Sequence, residues 1–196
     1  MHAAARVAAG LAWLGVATHA AAQSRVPAGL VKSETARPMY VVAANEFQLK
    51  CFNQPSVRAD AAYAFMGNKT RLVASRGTPL QVVHTAPDGA VTLWFPGSGE
   101  LRRGRWHIQE TTRQLMENGV AIKTRVTSSV CFDYSGGVPN IFASESQRST
   151  LCRPLEAVQE STLDRRDGDV FGIADGRPRP PRGAVTARKL DDLRRP

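Results

Sequence analysis

The chain is predicted to be an α+β protein, mainly antiparallel β, with a small curved sheet or barrel preceded by one helix. Three observations predict this. A single helical pattern, residues 55–66, stops at Gly67-Asn68. Short β-prone runs follow it, and residues 120–127 alternate apolar and polar as a half-buried strand does. Between the runs stand the turn signals Pro87-Asp88-Gly89, Pro96-Gly97-Ser98-Gly99 and Asn118-Gly119.

In chain order, residues 1–22 read as a signal peptide. Met1 to Arg6 form a basic start, residues 7–16 are uncharged and apolar but too short to span a bilayer, and Ala20-Ala21-Ala22 offer small residues for cleavage. No cysteine follows at the cleavage point, which argues against a lipid anchor. No later apolar run reaches about 18 residues, so no transmembrane span is expected. Residues 23–54 form an N-terminal arm carrying one candidate strand. Residues 47–52 alternate as a strand would, while a short helix starting near Asn45 competes for them.

Residues 55–160 form the β-rich domain. Pro55 suits the first turn of its helix and Ser56 the cap, with Val57, Ala61, Ala64 and Phe65 at helical spacing. Asn68-Lys69-Thr70 matches a glycosylation acceptor, but a turn is the better reading. Strands are expected at residues 71–73, 79–85 and 91–95. Residues 100–108 return antiparallel with Leu101, Arg103, Arg105 and His107 on one face and Arg102, Gly104, Trp106 and Ile108 on the other. Because the apolar members do not share a face, Gly104 is the expected place for a bulge. The polar stretch 109–118 reads as a long hairpin connection or an insertion. Residues 120–127, 129–134 and 149–155 complete the sheet. Residues 161–196 carry charge, proline and glycine in place of core residues and read as a basic disordered tail.

The chain holds 26 Lys and Arg against 17 Asp and Glu, a net charge of +9. Only five of the basic residues are lysine, which together with abundant alanine suggests a GC-rich bacterial source. Such a balance ordinarily raises nucleic acid as a partner, but an export signal directs the chain to the periplasm or outside the cell. There the charge favours an anionic envelope component or a protein partner. In that oxidising compartment two of Cys51, Cys131 and Cys152 are expected to pair. Three pairings are open. Cys131 with Cys152 is preferred, because these two flank one turn-rich excursion and both sit at strand-like ends.

Taken together, Gly67-Asn68-Lys69-Thr70, Asp88-Gly89, Trp94-Phe95-Pro96-Gly97, Gly104-Arg105-Trp106, Val130-Cys131-Phe132 and Leu151-Cys152 resemble small bacterial periplasmic domains of unknown function. The resemblance spans about residues 57–158. It departs by placing Lys69 within the Asn-Thr step and by lengthening the connection at 109–119. It implies a small antiparallel sheet or barrel in the cell envelope, and it brings no catalytic residues with it.

Chemical motifs are sparse. Pro96 stands where a nucleophile elbow around Ser98 needs glycine. His84 and His107 lack a third ligand for zinc, and Glu100 and Asp133 are isolated carboxylates. No catalytic residue, metal site or cofactor is therefore assigned. Trp94, Arg103, Arg105 and Trp106 are the candidate ligand-binding residues: an arginine pair beside aromatics suits a carboxylate or phosphate if it faces a cleft. The favoured reading is a non-catalytic ligand- or partner-binding domain. The alternatives are a small periplasmic hydrolase using His84 or His107, and a structural or inhibitory protein acting through its basic tail.

Overall fold

The computed structural model describes residues 25–74, 77–135, 150–176 and 186–194. The predicted signal peptide, the excursion after Ser135 and the Arg-Pro run at 177–182 lie outside them. The elements in order are β1 (Val31–Thr35), β2 (Met39–Val41), α1 (Glu46–Asn53), α2 (Ala59–Met66), β3 (Lys69–Val73), β4 (Gln81–Thr85) and β5 (Ala90–Trp94). Then come β6 (Leu101–Glu117), β7 (Val120–Tyr134), β8 (Thr150–Pro154), α3 (Leu155–Glu160), β9 (Thr162–Asp167) and a short 3₁₀ turn, Leu190–Leu193.

The sheet runs β8-β7-β6-β5-β4-β3-β9, antiparallel throughout, and its two end strands do not meet. It is an open sheet, so the barrel alternative is not what the chain builds. Two helices precede the meander where one was expected. The first, α1, begins after Asn45, whose side chain accepts from Gln48 N while the Gln48 side chain accepts from Asn45 N. This reciprocal cap satisfies two otherwise orphaned donors and decides the strand-or-helix competition in favour of the helix.

The second, α2, has no side-chain cap of its own. Glu110, far along the chain in β6, supplies one by accepting from Ala59 N at 2.9 Å. It buries Ala59, Ala62, Tyr63 and Met66, not the face through Ala61, Ala64 and Phe65 that spacing suggested. The helix is alanine-rich on several sides, so periodicity alone does not choose its buried face.

The polar stretch 109–117 is not a connection. It continues β6 as a long ribbon with β7, joined through Asn118 and Gly119, both at positive φ, as a two-residue hairpin turn requires. The other edge of this ribbon is taken by the N-terminal arm: β1 and β2 pair with β6 in parallel, Val31 opposite Ile108 and Met39 opposite Leu115. Nor does Gly104 mark a bulge, since the register shifts instead between Leu115 and Met116. A Cβ on Gly104 would lie 2.1 Å from Asp133 O, so glycine is there because the neighbouring backbone leaves no room.

Apolar side chains cover both faces of the sheet. On the first, α2 and α3 pack over Val83, Val91, Leu93, Trp106, Ile108, Val130 and Phe132. On the second, Leu72, Val82 and Trp94 meet Ile173, Leu190 and Leu193. This second core corrects the disordered-tail expectation for residues 162–176 and 186–194. β9 pairs with β3 at the sheet edge, and an edge strand with a mostly exposed outer surface needs few apolar residues. Its composition therefore resembles that of a tail. Cys131 and Cys152 form the disulfide, as direct cross-strand partners on β7 and β8. Closing a loop of this length stabilises the fold by about 3 kcal/mol on the chain-entropy model. Cys51 is free and half-buried.

Candidate functional site

Strand alternation sets the geometry. Successive residues point to opposite faces, so Trp94, Arg103, Arg105 and His107 share the second face and Trp106 belongs to the first. Both tryptophans are 1% exposed. Trp94 packs edge-on against Phe171, ring centroids 5.6 Å apart. Trp106 stacks on Tyr63 at 6.3 Å, and its Nε1–H donates to Ala86 O at 2.9 Å. They are core residues, and they face away from each other.

The arginine pair is also divided. Arg103 Nη2 donates to Ala174 O at 3.2 Å, tying β6 to the C-terminal segment. Arg105 Nη2 donates to Asp88 O at 2.8 Å and borders a cleft of about 340 Å³. Lys32, Arg105, His107, Asp88 and Asp133 supply the polar groups of this cleft, and Trp106 contributes to its wall. Of the four candidates, then, the structure brings Arg105 and Trp106 to one cleft and leaves Trp94 and Arg103 out of it.

The cleft exists because β1 joins the edge of β6 just where β5 ends. Ile108 N donates to Leu30 O and Trp106 N to Gly89 O, which aligns the arm beside the β4–β5 turn. Lys32 comes from that arm, Arg105 and His107 from β6, and Asp133 from β7. His107 Nδ1 lies 3.7 Å from Asp133 Oδ2. Burial lowers the His107 pKa below its usual value, the nearby Lys32 ammonium lowers it further, and Asp133 opposes both. The imidazole is therefore neutral at neutral pH, while Lys32 and Arg105 carry the positive charge. The Asp133 carboxylate also accepts from the Thr150 hydroxyl, which holds it in place.

His84 lies elsewhere, buried and beside Thr70 Oγ1 at 3.4 Å, with β5 separating β4 from β6. The two histidines thus do not form a pair. Among the described residues there is no group of three or more His, Cys, Asp or Glu placed to hold a metal ion. No helix among them is long and apolar enough to cross a membrane.

Arg71 is a further candidate that no sequence motif marks. It is 2% exposed on the first face, inside a second, smaller cavity, and its Nε has no hydrogen-bond partner. The available signal was parity: Arg71 shares its strand face with Val73, which is in the first core. A cation at an inward position of a strand is costly unless something compensates it.

The chain matches no family model, no curated protein and no solved structure. The resemblance to small periplasmic domains therefore stands on its short motifs alone.

Proposed function

We propose that this chain is an exported, non-catalytic binding domain of the bacterial cell envelope, and that its ligand is an anionic envelope component. The observation that supports this reading is the cleft itself. It gathers Lys32 and Arg105, two fixed cations from separate strands, around a neutral His107, with Asp133 available as an acceptor. Such a lining suits a phosphate or carboxylate headgroup that also carries a donor. The disulfide fits an oxidising compartment.

Among the competing readings, a hydrolase draws on the His107–Asp133 contact. Among the described residues that line the cleft there is no serine, threonine or cysteine to act as a nucleophile for that histidine, and the nearby Thr150 hydroxyl donates to Asp133. Three of the described arginines of the C-terminal segment are engaged within the fold, while the Arg-Pro run at 177–182 lies outside the described residues. Arg165 sits over the Phe65 ring, Arg166 contacts Asp164 and Asp191, and Arg194 donates to Val170 O.

The test is binding of the purified chain to phosphatidylglycerol vesicles and to lipopolysaccharide micelles, with phosphatidylcholine vesicles as control. Binding to an anionic surface is expected to fall with added salt and to weaken about tenfold in a K32Q/R105Q double variant. Equal binding by the double variant, or equal binding to phosphatidylcholine, would defeat the proposal.

A further inference from the structure

We infer that the Arg71 cavity is a binding site for the carboxylate of a small monoanionic organic acid with a short apolar tail. It goes beyond the envelope-binding reading, because the two cavities share no lining residue and open on opposite faces of the sheet.

The cavity lies between the first face of the sheet and α3. Its polar lining is Arg71, Gln81, Tyr134, Arg153 and Ser161, and its walls are aliphatic and aromatic, including Val83, Leu93 and Phe132. Arg71 is almost wholly buried, and its Nε is left without a partner. Among the described residues no carboxylate forms an ion pair with it. Of the groups that act on it through space, Tyr134 favours its charge and Arg165 opposes it, and a second cation, Arg153, lines the same cavity. Buried charges are otherwise paired, so among the described residues this guanidinium is short of one anion.

The chemistry of that anion follows from the surroundings. A guanidinium presents a planar fork of donors that matches a carboxylate in two parallel hydrogen bonds. Burial pushes the Tyr134 hydroxyl up, so it remains a protonated donor at neutral pH. The Ser161 hydroxyl already donates to Val158 O at 3.0 Å, so it has only acceptor capacity to offer.

The free volume of about 40 Å³ is room for a few water-sized groups at the buried end, which suits a short tail better than a sugar or a nucleotide. Arg71 is the buried cation of this lining, Arg153 being only half-buried and open to solvent, so the buried end of the cavity balances one negative charge and its aliphatic walls cannot hydrate the second charge of a phosphate. A short-chain carboxylate satisfies all three constraints.

The experiment is calorimetric titration of the purified full chain with sodium butyrate, against inorganic phosphate and sodium chloride at equal ionic strength. Thermal melting in the same solutions gives a second readout. Butyrate is expected to bind and raise the melting temperature, phosphate to bind more weakly and chloride to leave the protein unchanged.

R71M is expected to weaken butyrate at least about tenfold, the loss that accompanies removal of one charge-assisted pair. R71K keeps the charge but not the fork, stays folded, and is expected to bind butyrate several-fold more weakly than the native chain. R105Q changes the other cleft and is expected to bind butyrate as the native chain does. Butyrate affinity that survives in R71K at the native level, that is lost in R105Q, or that falls below phosphate affinity overturns the inference.

Discussion

Replacing Gly104 with alanine tests why the two longest strands lie as they do. The added methyl carbon would sit 2.1 Å from Asp133 O and 2.9 Å from both Asp133 C and Tyr134 Cα. All three are backbone atoms of β7, so no side-chain rotation relieves the overlap. Restoring an ordinary contact requires β6 and β7 to part locally by about 1 Å, which is enough to break hydrogen bonds of normal length.

The affected bonds include Ser135 N to Arg103 O at 2.8 Å. Losing about two such bonds costs roughly 2 kcal/mol. Overpacking adds about 1–3 kcal/mol. The expected destabilisation of about 4 kcal/mol is a large share of the stability of an ordinary domain. Urea unfolding followed by tryptophan fluorescence reads it directly, because Trp106 lies two residues along the same strand and Trp94 on the neighbouring β5. The midpoint is expected to fall with an unchanged slope. A loss below about 1 kcal/mol would refute the steric account, since it would mean that the strands separate freely.

Two further predictions follow from the cores and the cleft. Ile173→Ala removes a side chain that is 0% exposed in the second core, so a loss of about 3 kcal/mol is expected from the same unfolding measurement. A change within about 0.5 kcal/mol would mean that the C-terminal segment lies outside the cooperative unit. His107 binds its proton less readily when folded than its ordinary value of 6.5 implies. Between the two values the unfolded chain holds more protons, so this group's contribution is complete above 6.5 and is lost as the pH falls below it. The difference in stability between the native chain and H107Q, followed from pH 8 to pH 5, is expected to shrink on acidification, and growth of the difference would reverse the assignment.

Much of the sheet was legible because its turns are chemically marked. Asp88-Gly89 and Asn118-Gly119 fall where the chain reverses, and the disulfide joins the two cysteines whose surroundings read as strand. Three things were hidden, each for a physical reason. The full length of β6 was hidden because residues 109–117 bond through their backbone on both edges, to β7 and to the arm, so few of their side chains needed to be apolar.

The second core was hidden because its apolar members, Phe171, Ile173, Leu190 and Leu193, are dispersed among charged residues and separated along the chain. The candidate site was only half legible. Proximity in sequence made Arg103 and Arg105 look like a pair, yet the bound partners of each, Ala174 and Asp88, come from separate parts of the chain, the C-terminal segment and the β4–β5 turn. Arg71 escaped notice because burial of a strand position is decided by what covers it, here α3 and β8.

The N-terminal arm has a consequence for the order of assembly. β1 and β2 precede every other described strand along the chain, yet their partner residues, Ile108 to Glu117, come long after them. Parallel pairing across such a distance closes a large loop and is slow compared with the neighbouring hairpins. The β3–β7 meander can therefore form while the arm is still loose. In that interval the outer half of β6 offers a row of unpaired amides and carbonyls, a template for any extended chain nearby. The arm's last act in folding is to occupy that row itself, so its docking marks the point at which the young protein stops being adhesive.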